Sequence, residues 1–231
     1  MREIVLDTET TGFEPTEGDR IVEIGAVELF NHMPTGRTYH QYINPGRSMP
    51  KAAFEVHGLG DDFLRDKPAF REIGQAFLDF VGTDKMVIHN ASFDMKFLNF
   101  ELSTIGLPVL PFGQAIDTLL IARKKFPGSP ASLDALCRRF GVDNSGREKH
   151  GALLDSEILA EVYLELIGGR QPDFGLSSLV EKTSNSANDQ AEWRPKPRPV
   201  PLATRLTEAE AAAHAVFVEK LGASATWAKR Q

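Results

Sequence analysis

The stretch REIVLDTE, residues 2–9, starts the predicted sheet and ends in two acids. Its β-branched side chains predict a first strand over residues 2–8, and the same composition at residues 20–29 and 38–44 predicts two more. Turn-forming residues fill the connections, the second of them at residues 31–36. Three strands joined in series by such loops predict an antiparallel meander.

After the meander, the spacing of apolar residues changes from that of strands to that of helices. This spacing predicts helices over residues 69–81, 92–105, 118–126, 132–140 and 152–167, with a short buried strand at 86–89. Strands followed by helices that alternate with strands predict an α/β fold, a mixed sheet with helices on its faces.

The composition is that of a globular protein. The chain has 231 residues, 42% of them hydrophobic and 25% charged, and a net charge of −6. These values exclude collagen, an extended acidic disordered chain and a disulfide scaffold. The lone cysteine Cys137, the absence of a secretory leader and the lack of about 20 consecutive apolar residues predict a cytoplasmic protein with no membrane segment.

Composition and charge both change near Leu176. Residues 1–176 carry a balance of −8 and residues 177–231 a balance of +2. We therefore predict a catalytic domain at 1–176, a polar and then proline-rich linker at 177–201, and a short helical tail at 202–231. The tail helix is expected from the cap signal at Thr207 to Gly222.

Asp7 and Glu9 are placed two residues apart at the end of the first strand, so both carboxylates point to one side of the sheet. Two like charges held together are costly unless a cation or a proton neutralises them. A pair of acids that merely solvates a turn is the alternative. An EF-hand loop is excluded, because its twelfth position would be Gly18 instead of glutamate.

Two later motifs add further acids. Asp94 falls in the first turn of a predicted helix, where an ionised carboxylate is favoured, although simple helix capping would explain it too. His150 and Asp155 are five residues apart and converge only if His150 precedes the helix on a loop, which Gly146 and Gly151 permit. A solvated histidine and a surface acid remain the alternative.

Taken together, the motifs Asp-x-Glu, Asn-x-x-x-Phe-Asp and His-x-x-x-x-Asp resemble those of the DEDDh 3′–5′ exonucleases, in the same order and on suitable elements. The resemblance covers roughly residues 2–169. It implies a ribonuclease-H-like sheet with helices on both faces, followed here by a largely extended C-terminal tail. It also implies two divalent cations, Mg²⁺ or Mn²⁺.

The family's mechanism gives each acid a role. By resemblance, Asp7 bridges both ions, Glu9 and Asp155 hold the ion that activates water, and Asp94 holds the second ion through water. His150 acts as general base, since imidazole titrates near neutral pH. The resemblance implies the 3′ end of a DNA strand as the substrate.

Further substrate contacts are implied by the resemblance to the family, in which a loop lies beside the terminal nucleotide of the substrate. Asp7, Glu9 and Asp155 are expected to contact substrate, and His57 is a further candidate, with a buried histidine as the alternative. Ala52 stands where family members often have glutamate, so any contact there would use the main chain.

The tail suggests partners. Gln171, Phe174 and Leu176 resemble the short peptide that grips a sliding clamp. Trp193 and Trp227 lie outside the predicted domain and suggest a docking surface. The ending near Trp227 resembles the tail by which such replicative exonucleases bind the catalytic alpha subunit of the polymerase, so the resemblance implies that partner. The alternative is a disordered tail with one marginal helix.

The predicted function is therefore proofreading, the removal of mismatched 3′-terminal nucleotides for a replicative DNA polymerase. An RNA-trimming DEDDh exonuclease is the second hypothesis, because the motifs do not separate DNA from RNA. A non-catalytic adaptor is the third, disfavoured because all five catalytic positions are intact.

Overall fold

A computed structural model describes residues 1–147, 149–169 and 206–222. The chain divides into two units, Met1–Leu176 and Ser177–Gln231. The first unit is built on a sheet of five strands in the order β3-β2-β1-β4-β5. The strands are β1 (Arg2–Thr10), β2 (Ile21–Phe30), β3 (Met33–Tyr42), β4 (Lys85–Ile88) and β5 (Ala115–Asp117).

The sheet is mixed, as predicted. β1, β2 and β3 form the antiparallel meander, whereas β1 pairs in parallel with β4 and β4 with β5. Its helices are α1 (Lys51–His57), α2 (Asp61–Leu64), α3 (Phe70–Val81), α4 (Ala91–Thr104), α5 (Thr118–Lys125), α6 (Leu133–Phe140) and α7 (Ala152–Ile167). The five long helices match the predictions to within about one residue, whereas α1, α2 and β5 were not foreseen.

The second predicted connection is wrong for residues 33–36. The turn between β2 and β3 has only two residues, Asn31 and His32, with φ of 51° and 65°. Two left-handed residues make the tight turn whose twist suits a hairpin, and asparagine tolerates that conformation. Pro34 is accepted within β3 because β3 is an edge strand.

Alternate residues of β1 face opposite layers of helices. Ile4 and Leu6 lie in one core cluster with Phe77 of α3 and Phe97 of α4. Val5 lies on the other face in a cluster with residues of α7, among them Leu159 and Tyr163. This alternation places Asp7 and Glu9 on the α7 side and Thr8 on the α4 side.

Gly25 of β2 is the point at which α7 meets the sheet. Its register partner is Asp7. A Cβ at Gly25 would lie 2.1 Å from the backbone nitrogen of Leu153, and the Ser156 hydroxyl donates to the Gly25 carbonyl at 2.9 Å. The first turns of α7 therefore approach β2 as closely as a glycine allows.

The second unit contains α8 (Glu208–Leu221), which begins at Thr207 in a capping box with Glu210. This helix confirms the predicted one. The predicted clamp residues Gln171, Phe174 and Leu176 and the tryptophans Trp193 and Trp227 lie outside the described residues, as does the linker at 177–201. No helix in the described part of the chain is long and apolar enough to span a bilayer.

We expect Gly25→Ala to destabilise the protein by at least about 2 kcal/mol, because the new methyl group meets backbone that cannot move independently of α7. Gly113→Ala is the matched control, since an added Cβ there meets nothing within 4 Å. Urea unfolding of both variants measures the difference. Equal stabilities would contradict the close packing of α7 on β2.

Candidate active site

The predicted site residues meet around the C-terminal end of β1. Asp7 and Glu9 come from β1, Asp94 from the first turn of α4 and Asp155 from the first turn of α7, while His150 precedes α7. Because α4 and α7 cover opposite faces of the sheet, the acids reach the strand end from both sides. The carboxyl ends of parallel β1 and β4 are the usual place for a site in such a sheet.

Asp94 is fixed on the α4 side. Its carboxylate is 2% exposed and accepts a hydrogen bond from the Thr8 hydroxyl at 2.7 Å. Asp117 accepts from the backbone nitrogens of Asn90 and Ala91, both at 3.2 Å, and also caps α5 through Leu119. Asp117 is thus a helix-end acid, and it additionally anchors the start of the helix that carries Asp94.

On the α7 side, Asp155 and His150 come together as predicted. His150 precedes the helix, whose N-cap is Gly151, and its Nδ1 atom lies 3.6 Å from Asp155 Oδ2. Asp155 is buried, whereas about half of the His150 side chain is exposed. His150 can approach Asp155 because it lies on the loop before α7. Within one continuous helix, a spacing of five residues would separate the two side chains.

Glu9, His150 and Asp155 form a group with metal-binding geometry. Each presents one ligand atom, and these atoms lie within 4.8 Å of one another. Carboxylate oxygens are the ligands that Mg²⁺ and Mn²⁺ prefer. The donor set at the end of β1 therefore fits a hard divalent cation, with half-buried Asp7 and buried Asp94 beside it.

The raised pKa values of the acids also indicate a site that favours a cation. Burial raises the pKa of Glu9 to about 8, and the negative charges of Asp155, Glu23 and Asp94 contribute. Burial also raises the pKa of Asp94 to about 7. The pKa of Asp7 is raised well above its usual range by burial and by the neighbouring Asp94, Glu9 and Asp155. Acids held in this way gain stability from a positive charge.

One positive charge is already supplied by the protein. The Arg147 guanidinium forms a two-pronged ion pair with Asp155, Nε to Oδ1 at 2.5 Å and Nη2 to Oδ2 at 2.6 Å. It also contacts Asp134 Oδ1 at 2.9 Å. The sequence interpretation missed Arg147, because an arginine in a loop carries no spacing signal.

These residues border a cleft of about 510 Å³. Among the side chains that line it are Asp7, Glu9, Phe93, Arg123, Arg147, His150 and Asp155. Asp134 lines the cleft as well and is an ion-pair partner of Arg147. Arg123 and Phe93 were not singled out from the sequence.

The predicted substrate contacts at α1 lie apart from this lining. His57 is buried, and its Nδ1 atom accepts a hydrogen bond from the Leu59 nitrogen at 3.1 Å. Burial lowers the pKa of His57. Ala52 is exposed on α1. The His150 nitrogen donates to the Val56 carbonyl at 3.3 Å, so α1 contacts the loop that carries His150.

We expect the metal-free protein to lose stability as pH rises from about 5 to 8. The native state keeps a proton on Glu9 in this window while the unfolded chain has released it, so unfolding becomes easier by on the order of 2 kcal/mol. Urea unfolding in a chelator at three pH values measures the slope. Glu9→Gln should flatten the slope and raise the stability at pH 8; an equal slope in the variant would contradict the assignment.

The chain is similar to known proteins over most of its length. The family described as Exonuclease (RNase_T) matches residues 4–163. The DNA polymerase III subunit epsilon of Rickettsia felis is 54% identical over 193 residues, which cover 82% of this chain and 84% of that protein. The subunit of the same name from Escherichia coli K12 is 43% identical over 242 residues, with coverages of 98% and 97%.

Solved structures show the same fold. Exonuclease X in complex with 5′ overhanging duplex DNA aligns with a TM-score of 0.56 and 25% identity over 71% of this chain and 90% of that chain. The nuclease domain of 3′hExo, a DEDDh family member bound to rAMP, aligns with a TM-score of 0.60 over 72% and 91%, at 21% identity. The chain therefore belongs to the exonuclease family, as a DEDDh enzyme of the type of the DNA polymerase III epsilon subunits.

Proposed function

We propose that this chain is the proofreading 3′–5′ exonuclease of a bacterial DNA polymerase III. The observation that carries the proposal is the meeting of Asp7, Glu9, Asp94, His150 and Asp155 around one strand end beside an open cleft. The similarity to epsilon subunits over nearly their whole length supports the replicative role.

Two divalent cations, Mg²⁺ or Mn²⁺, would when bound activate the attacking water and stabilise the attacking and leaving oxygens. Asp7 has Asp94, Glu9 and Asp155 as charged neighbours and would hold both ions. Glu9 and Asp155 would hold one ion with it, and Asp94 would help to hold the other. The hydrogen bond from Thr8 keeps one oxygen of Asp94 in place for this role.

His150 would receive the proton of the attacking water at a ring nitrogen. Its position on the loop before α7 puts the ring beside Asp155 while leaving it accessible from the cleft. Proton transfer by a positioned histidine contributes about 10²–10⁴-fold to a rate. The remaining acceleration would come from charge stabilisation at the scissile phosphate.

The rest of the cleft suits the end of a nucleic acid strand. Arg123 is exposed at its border, where a guanidinium can pair with a backbone phosphate. Phe93 lines the cleft and contacts the exposed ring of Phe13, with 6.4 Å between ring centroids. Aromatic rings so placed can stack on unpaired bases, whatever their identity. A mismatched 3′ end with unpaired bases would offer a phosphate to Arg123 and a base to Phe93.

Asp7→Asn should lower the release of deoxynucleoside monophosphate from a 3′-mismatched primer by at least about 10³-fold, because the charge of the bridging acid is lost. Asp66→Asn is the matched control, since Asp66 is exposed and lies outside the cleft. The assay compares Mg²⁺, Mn²⁺ and chelator.

Activity in chelator, or equal rates in Asp7→Asn and the control, would contradict the catalytic assignment. A single-stranded RNA of the same sequence forms the second arm of this assay. Faster cleavage of RNA than of the mismatched DNA would favour the RNA-trimming hypothesis over proofreading.

The partner proposals concern the residues that follow α7, from the end of the first unit through the second unit. We expect a chain that ends at Leu176 to keep nuclease activity and to lose binding to the polymerase alpha subunit, because Trp193 and Trp227 are removed. Phe174→Ala with Leu176→Ala in the full chain should weaken only clamp binding. Co-purification with each partner measures both effects, and unchanged binding of the alpha subunit by the truncated chain would exclude the docking tail.

A further inference from the structure

Arg147 occupies both oxygens of one proposed metal ligand. Its side chain is only 9% exposed, and the two prongs on Asp155 leave neither oxygen of that carboxylate without a charged partner. Such a fork is the strongest form of ion pair between these residue types, because two parallel hydrogen bonds form at once. Asp155 is 3% exposed, so water does little to weaken the pair.

The same guanidinium engages the proposed base. Its Nη2 atom lies 2.9 Å from His150 Nδ1. Arginine has donors only, so Nδ1 is the acceptor in this contact and its lone pair is taken. One side chain therefore holds a proposed metal ligand and the proposed general base together.

We infer that Arg147 is a built-in competitor of the divalent cation at Asp155, and that its displacement by the cation also frees His150 Nδ1. A guanidinium and a metal ion cannot share the same lone pairs of the Asp155 carboxylate. If both bound this carboxylate, their positive charges would lie close together and repel each other. This inference rests on the proposed function, because it takes Asp155 to be a metal ligand.

The surroundings of Arg147 allow the exchange. Gly146 precedes it directly, and neither Gly146 nor Gly151 has any atom within 4 Å of an added Cβ, so the loop has space at both ends. Asp134 Oδ1, 2.9 Å from Nη1, is a second carboxylate on α6 that can keep the guanidinium when Asp155 is given up. The side chain of Asp134 is 44% exposed, so this partner lies towards solvent.

The exchange keeps Asp155 paired with a positive charge both before and after the cation binds. Before an ion binds, Arg147 neutralises Asp155 and keeps it oriented among the buried acids at the end of β1. After binding, the larger charge of the cation takes over this role, and Arg147 no longer donates to His150. Metal loading and the availability of the base are thereby linked through one residue.

The test is direct Mn²⁺ binding to the full-length chain, measured by the loss of the free Mn²⁺ electron paramagnetic resonance signal. Arg147→Gln should lower the Kd for Mn²⁺ about tenfold, a change of about 1.4 kcal/mol in binding free energy. Arg138→Gln is the matched control, since Arg138 is an exposed arginine on the neighbouring α6 that does not line the cleft. Its Kd should stay within about twofold of the wild type, as expected for a screened surface charge.

Two further measurements guard against an effect of misfolding. Asp134→Asn removes the second carboxylate partner of Arg147, so Asp155 would be the one carboxylate left to hold the guanidinium, and the Kd for Mn²⁺ should rise. In ¹⁵N spectra of the histidine rings, Mg²⁺ should shift the His150 Nδ1 resonance of the wild type towards its position in metal-free Arg147→Gln.

The outcomes separate the inference from the proposed function. If wild type and Arg147→Gln bind Mn²⁺ with equal Kd, or the variant binds more weakly, Arg147 supports the metal site and the competition is excluded. If neither protein binds Mn²⁺ saturably, the proposed metal site fails and the inference fails with it. A lower Kd in Arg147→Gln together with the Mg²⁺-induced His150 shift would establish the competition.

Discussion

The mutual repulsion of the carboxylates around the end of β1 is the constraint on which the site depends. Burial keeps water from screening these charges, and the pKa values of Asp7, Glu9 and Asp94 are raised as a result. A fold selected only for stability would not collect such acids on both faces of one strand. Their presence costs free energy in the metal-free chain, and a bound cation would offset that cost.

The sheet brings the acids together through strand alternation. Successive residues of β1 point to opposite faces, so Asp7 and Glu9 face α7 while Thr8 reaches Asp94 on α4. The close approach of α7 to Gly25 fixes the position of Asp155 relative to Asp7, which is the register partner of Gly25. Small changes far from the acids, at β2 for example, therefore act on the site through the position of α7.

The net charge of −6 would by itself argue against a nucleic-acid enzyme. The acids at the end of β1 explain the contradiction, because cations bound there would invert the local field where the substrate phosphate lies. Arg147 already shows this principle within the protein, since it provides a positive charge at Asp155. The formal charge of the chain is thus a poor guide to the potential in the cleft.

Much of the fold was predictable, because short stretches of sequence are enough to show strand alternation and helix periodicity. The acids were joined into one site only through the resemblance of their three motifs to those of the DEDDh exonucleases. The pairing of His150 with Asp155 was predictable only through the glycines of the loop. Local sequence patterns do not show which side chains from distant segments will lie next to one another in the fold. The fork of Arg147 on Asp155, the anchoring of α4 by Asp117 and the burial of His57 depend on packing between distant segments. The short helices α1 and α2 lack the length at which periodicity becomes visible.

Anomalous diffraction from crystals grown with Mn²⁺ tests the central claim, that the acids at the end of β1 form a divalent metal centre, most directly. Two anomalous peaks about 4 Å apart are expected, both near Asp7, with Glu9 and Asp155 coordinating one of them. A map with no peak among these carboxylates, at a Mn²⁺ concentration that supports nuclease activity, would contradict it.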